Sequence, residues 1–92
     1  MELDHAWKEM FERWPADVPR RGVLVTSYGE QVLFDGFMTG ESFLLINRNA
    51  PDTVGARKLI VPYANIVTLK IVDVVKAKAL VHLGFEGKLD ER

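Results

Sequence analysis

"LIVPYANIVTLKIV", residues 59–72, is the stretch of sequence that decides the fold. It is rich in β-branched residues, as strands are, yet Pro62 stands inside it. Because proline has no N–H to give to a β-ladder, it marks the end of a strand. The stretch therefore predicts two strands, over residues 56–62 and 65–72, joined by a very tight turn at Tyr63.

Three further strands are predicted upstream, and the chain is punctuated by turn residues throughout. β-branched and aromatic runs predict strands over residues 22–28, 31–38 and 42–48. Gly36, inside the second of these, indicates a bulge or a sharp bend, because glycine weakens a plain strand. Since no helix lies between the strands, this order predicts a bent antiparallel sheet or small barrel of five strands, and a doubly wound α/β fold is disfavoured.

The N-terminal region predicts an amphipathic helix over residues 2–14, which Pro15 ends. Apolar residues recur there at helical spacing. They are Leu3, Ala6, Trp7, Met10, Phe11 and Trp14. Such an aromatic stripe is expected to pack on the chain's own sheet; the alternative is a protein-binding accessory domain that docks on a partner through this helix.

The C-terminal extension, residues 73–92, allows two interpretations. Residues 73–85 fit a short helix with Asp73 at its start and Gly84 at its end. The same residues also alternate as a continuation of the last strand. Residues 86–92 are charged and are expected to fray.

Composition and charge narrow the function classes. The 92 residues contain no cysteine and carry a net charge of −1, so disulfides and thiolate metal sites are excluded and no global attraction to nucleic acid is expected. No apolar run has the length of a membrane span. We expect a single domain over residues 1–92 in the cytoplasm, with no membrane partner.

No pattern of residues indicates catalysis. The sequence has no dinucleotide-binding glycine motif and no P-loop. His5 and His82 lie at opposite ends of the chain, and neither has a second histidine at ligand spacing. We therefore expect a protein that is not an enzyme and that holds no metal and no cofactor.

Residues 2–72 resemble the Sm-like fold, the family of the Sm and Sm-like proteins and the bacterial Sm-like RNA chaperone. "GEQVLFDGFM", residues 29–38, is similar to the first Sm motif, with Gly36 in place of the glycine that lets the second strand bend. "LIVPYANIV", residues 59–67, is similar to the second motif, and its Asn65-Ile66 pair matches as it stands. The resemblance implies a five-stranded barrel that forms homo-oligomers, with binding of single-stranded RNA as the alternative function.

Two sets of residues follow from this resemblance. Pairing between subunits would use the edges of the last two strands, which contain Leu59, Ile60, Val61, Ile66, Val67 and Leu69. The family's RNA-pocket positions fall on Ser42, Ile46, Pro62 and Tyr63, where this sequence lacks the family's base-reading side chains. RNA binding would instead use Tyr63, as a stacking platform, together with Arg57, Lys58, Lys70 and Arg48.

"DGFMTG", residues 35–40, also resembles the PilZ motif that binds cyclic di-GMP. Phe37 stands where that motif has serine. The upstream arginines of the motif are three residues apart, whereas Arg20 and Arg21 are adjacent. Cyclic-dinucleotide binding is thus a minor alternative to the Sm-like interpretation.

Overall fold

A computed structural model describes residues 3–48 and 50–90 of the chain. The predicted N-terminal helix is confirmed as α1, Leu3–Glu12; position 2 of the prediction lies outside the described residues. After Glu12 the Arg13 amide still donates to the Glu9 carbonyl at 3.0 Å, and Pro15 then prevents a further helical hydrogen bond. Asp4 lies in the first turn, where the positive end of the helix dipole stabilises a carboxylate.

The described residues form six strands, arranged as two three-stranded antiparallel sheets. One sheet has the order β2-β1-β6 and the other the order β3-β4-β5. The strands are β1 Gly22–Thr26, β2 Gln31–Phe34, β3 Gly36–Thr39, β4 Phe43–Asn47, β5 Lys58–Pro62 and β6 Ile66–Lys70. The mostly β fold with one N-terminal helix is thus confirmed.

The predicted strand over 31–38 is two strands, because the chain leaves one sheet and enters the other at Asp35. β2 pairs with β1 on one side of this point, and β3 pairs with β4 on the other. The Asp35 amide donates to the Asn47 carbonyl at 2.9 Å, so the corner itself is attached to β4. The expected sharp bend is present, one residue before Gly36.

Residues 59–72 form two strands, as predicted. β5 ends at Pro62, a single 3₁₀ turn follows over Tyr63–Asn65, and β6 begins at Ile66, whose amide donates to the Tyr63 carbonyl. β5 and β6 lie at the outer edges of different sheets. No ladder joins them within residues 3–48 and 50–90, so these residues do not close into a barrel.

The core lies between the two sheets and is covered by α1. β1, β2 and β4 alternate buried and less buried residues, as strands with one core-facing side do. The buried apolar residues that form the cluster are Phe11, Leu24, Val32, Phe34, Phe37, Leu44, Ile46, Val61, Tyr63 and Ile66. Trp7, Met10 and Trp14 of the N-terminal region pack against this cluster.

The C-terminal extension forms a short helix, as in the first interpretation but with other bounds than residues 73–85, and it does not continue the last strand. It contains a 3₁₀ helix over Ala77–Leu83, which ends at Gly84 in the left-handed conformation with φ of 105°. Asp73 does not cap this helix; its carboxylate binds the guanidinium of Arg21 at 2.7 Å. Gly84 does occupy the predicted terminating position, where a positive φ favours glycine.

Over the described residues, none of the helices is both long enough and apolar enough to cross a membrane.

Replacing glycine by alanine is expected to affect stability differently at Gly22 and at Gly36. A Cβ at Gly22 would lie 2.6 Å from the backbone carbonyl oxygen of Lys70, whereas a Cβ at Gly36 would meet only the Asn47 Cβ at 3.8 Å. We expect Gly22→Ala to lower the free energy of unfolding by about 1–3 kcal/mol, because the β1–β6 ladder must shift. Gly36→Ala should change it by less than about 1 kcal/mol. Urea denaturation of both variants measures this; an equal loss in both would contradict it.

Candidate functional surface

The outward edge of β5 follows from the hydrogen bonds that β5 makes with β4. The Arg48 amide donates to the Arg57 carbonyl at 2.8 Å, and the Tyr63 amide donates to the Ser42 carbonyl at 3.2 Å. In an antiparallel ladder, hydrogen-bonded pairs alternate with pairs that are not hydrogen-bonded. The backbone groups of the odd-numbered residues from 57 to 63 therefore face β4.

The even-numbered residues of β5 consequently turn their backbone groups away from the sheet. Lys58 and Ile60 each present one N–H and one carbonyl on this edge, and Pro62 presents only a carbonyl. This placement explains how proline is accommodated, because the N–H that it lacks would have pointed away from β4. A partner strand could therefore pair with the free edge of β5 as far as Ile60. A regular ladder could not continue beyond Pro62.

The outward edge of β6 is shorter. The Ser27 amide donates to the Asn65 carbonyl at 2.7 Å, so by alternation the backbone groups of Val23 and Val25 also face β6. The backbone groups of their partners on β6 face β1, and the backbone groups of Leu69, which lies between these partners, face outward. The register between β1 and β6 shifts at a bulge after Val25, so only part of β6 pairs regularly with β1. Bulges protect sheet edges from unlimited pairing.

An exposed apolar row crosses the outer face of the β3-β4-β5 sheet. Met38 is opposite Leu45, and Leu45 is opposite Ile60, so the three side chains lie side by side. Met38 is 67% exposed and Ile60 69% exposed, and Leu45 is half-buried. Phe43, two residues before Leu45 on β4, is 52% exposed. Contiguous exposed apolar surface of this kind is typical of interaction sites.

The side chains predicted for the oligomer edge fall into three groups. Those of Ile60 and Val67 are exposed. Those of Val61 and Ile66 are buried in the core. Leu59 and Leu69 are half-buried against the core cluster. Only Ile60 and Val67 are thus fully available to a partner in this structure.

The structure brings together three of the four predicted cationic side chains. Arg48, Arg57 and Lys58 lie at the loop end of the β4–β5 hairpin, where Lys58 Nζ donates to Asn47 Oδ1 at 3.2 Å. Lys70 lies in the other sheet, and its Nζ donates to Gln31 Oε1 at 3.1 Å.

Asp52 shapes the loop that carries this basic corner. Its Oδ1 accepts the Val54 amide at 2.9 Å and the Ala56 amide at 2.8 Å. The hydrogen bond from Ala56, with smaller contributions from Val54 and the Arg48 charge, lowers the pKa of the Asp52 carboxyl below its usual value. A carboxylate that stays ionised at neutral pH thus holds the turn.

Tyr63, the predicted stacking residue, is only 2% exposed. Its hydroxyl donates to the Gly40 carbonyl at 3.1 Å, and burial raises the pKa of the phenol. A nucleic-acid base could stack on this ring only if the ring left the core.

Arg20 and Arg21, considered above for cyclic-dinucleotide binding, both make contacts within the chain. The Arg20 guanidinium lies 3.8 Å above the centre of the Phe37 ring and donates to the Phe37 carbonyl at 3.0 Å. Arg21 binds Asp73. The two residues of the Arg20–Phe37 contact are 17 positions apart in sequence, and those of the Arg21–Asp73 contact are 52 positions apart. No local sequence pattern could therefore have indicated either contact.

Trp7 and Trp14, the residues of the alternative docking helix, are half-buried and pack against the core. Within the described residues, no group of three or more histidine, aspartate or glutamate side chains is arranged to hold a metal ion.

Comparison with known protein families, with curated proteins and with solved structures found no match to this chain.

The buried phenol of Tyr63 makes stability depend on pH at the alkaline end. Because its folded-state pKa is raised, its stabilising contribution is complete below the ordinary tyrosine pKa of about 10 and is lost as pH rises through the folded-state value. Tyr63→Phe should lose about 1 kcal/mol of stability near neutral pH, the cost of one hydrogen bond, and should show a shallower loss above pH ~10.

Denaturation from pH 7 to 11 measures both effects. Tyr28→Phe is the matched control, because Tyr28 is 88% exposed. An equally shallow alkaline profile in the Tyr28 variant would contradict the assignment to Tyr63.

Proposed function

We propose that the chain is a non-enzymatic, Sm-like interaction module that self-associates by pairing the β5 edge of one copy with the β6 edge of the next. The observation that carries this proposal is the position of the two free edges. If residues 31–39 are counted as one bent strand, the strand order is β5-β4-(β3/β2)-β1-β6, with a free edge at each end. Two different edges give head-to-tail pairing, which generates a ring when the rotation closes.

Backbone pairing alone would contribute little to such an interface. Lys58 and Ile60 supply the outward groups of β5, and Leu69 supplies those of the regular part of β6. The affinity must therefore come largely from apolar side chains at the edges, and Ile60 and Val67 are the exposed ones. Full burial of one such side chain contributes about 1.5–3 kcal/mol.

Features at both edges limit the pairing to a short register. Pro62 ends the β5 edge, and the bulge shortens the β6 edge. Lysine, which discourages unspecific strand addition, stands on each edge strand, as Lys58 and Lys70. An interface of a defined length is expected from such edges, and open-ended aggregation is disfavoured.

Ile60→Lys should weaken self-association by about tenfold or more, because it removes one buried isoleucine from the interface. Val54→Lys is the matched control: it places the same charge on an exposed aliphatic position in the loop between β4 and β5. Sedimentation velocity over a range of protein concentrations measures the association constant. A wild-type chain that sediments as a 10.4-kDa monomer at high micromolar concentration would overturn the proposal.

Single-stranded RNA binding is the second candidate function, and the clustering of Arg48, Arg57 and Lys58 favours it. Three cationic residues at one hairpin end could contact backbone phosphates of a strand that passes this end. Stacking on Tyr63 is not part of this candidate, since the ring is buried. The predicted contribution of Lys70 is separated from the corner, because Lys70 belongs to the other sheet.

The double variant Arg57→Ala/Lys58→Ala should lower the slope of log K against log salt concentration by about 1.4, because each lost phosphate contact on a single strand contributes about 0.7. Lys70→Ala should leave that slope unchanged. Fluorescence anisotropy with a labelled oligouridine measures the slope. Absence of binding at low salt, or an equal effect of Lys70→Ala, would contradict RNA binding at this corner.

A further inference from the structure

The chain that follows β6 returns across the C-terminal end of α1; we name residues 71–90 the strap. Leu80 and Leu83 of the strap face Met10, Trp14 and Leu69 across a gap of about 20 Å³. A gap of this size is close to the smallest that holds a water molecule. The strap therefore packs tightly over the aromatic end of the N-terminal region, but only along a few residues.

Polar contacts attach the strap to arginines that precede β1. Near its start, the Asp73 carboxylate accepts two hydrogen bonds from Arg21 Nε and Nη2, at 3.0 and 2.7 Å. Farther along, the Arg13 guanidinium donates to the His82 carbonyl, and His82 Nε2 lies 3.3 Å from the Arg13 carbonyl. Contacts between exposed charged groups are weak, because water and salt screen them.

The strap's own structure is also of low stability. Its 3₁₀ helix is seven residues long, whereas such helices rarely exceed three or four residues because their hydrogen bonds are poorly aligned. Many large apolar side chains of the strap remain exposed instead of joining the core. These are Val72, Val74, Val81, Phe85 and Leu89.

We propose that the strap is a releasable cover, which opens while the two sheets stay folded and so exposes Trp14 with Met10 and Leu69. Segments with few buried contacts open locally at a much lower cost than the whole fold. The surface beneath the strap is rich in large apolar side chains, so the closed strap keeps them from water. Opening of the strap does not require the proposed pairing of β5 with β6.

The test uses Trp14 as a fluorescent reporter in the full-length chain. Trp7→Phe removes the second tryptophan, and this change loses no hydrogen bond because Trp7 Nε1 has no partner. In this background, Arg13→Ala/Asp73→Ala removes the guanidinium hydrogen bond to the His82 carbonyl and the ion pair of Asp73 with Arg21, while the backbone carbonyl of residue 13 stays available to His82. Glu12→Ala is the control: it removes the neighbouring ion pair with Lys8, which does not involve the strap.

Loss of each polar contact should raise the ratio of open to closed strap by roughly two- to fivefold. We expect Trp14 emission to shift to longer wavelength and acrylamide quenching to increase in the double variant, with no change in Glu12→Ala. Hydrogen exchange should accelerate at residues 77–84 and stay slow in β1. Unchanged quenching would overturn the proposal. So would equal loss of protection in β1, because the strap would then be an integral part of the core.

Discussion

The ring of Phe37 joins the helical region to both sheets, and the rest of the fold is organised around it. Phe37 is the second residue of β3, just after the corner at Asp35, and its ring contacts Phe11 of α1 edge-on with centroids 5.0 Å apart. Trp14 approaches it at 5.1 Å, and Phe34 of the other sheet at 6.1 Å. Edge-to-face pairs of this kind are stabilising beyond the area that they bury. A 92-residue chain has a small core, so this one cluster fixes how helix and sheets are oriented.

Much of this fold could be predicted from local sequence patterns, because those patterns reflect short-range constraints. Pro62 predicts the end of β5, and helical spacing predicts α1. The bend near Gly36 was also predicted, but its proposed cause was not borne out by the geometry: a Cβ at Gly36 meets only ordinary contacts, whereas Gly22 lies against the Lys70 carbonyl. Close approach of two strands distant in sequence leaves no local signal.

The surface was harder to predict than the fold, for the same reason. An aromatic residue in a tight turn can face solvent or the core, and α1, packed over the turn, buries Tyr63. The alternation of the strands was clear, yet it could not show which backbone edge of β5 or β6 stays free, because that depends on strand order. In the C-terminal extension, the short helix and its end at Gly84 were predicted, but its start was not, because Asp73 pairs with Arg21, which is distant in sequence, and does not cap the helix.

Leu69 is the residue at which the strap and the edge of β6 meet. Its backbone groups face away from β1, on the edge proposed to pair with another copy, while its side chain lines the gap beneath Leu80 and Leu83. The strap therefore packs on a side chain of β6, the same strand whose free backbone edge is proposed to pair with another copy. A strand with a packed inner face holds its register better than one without. If the strap opens as proposed, we therefore expect the proposed pairing edge of β6 to loosen at Leu69 while β5 stays unaffected.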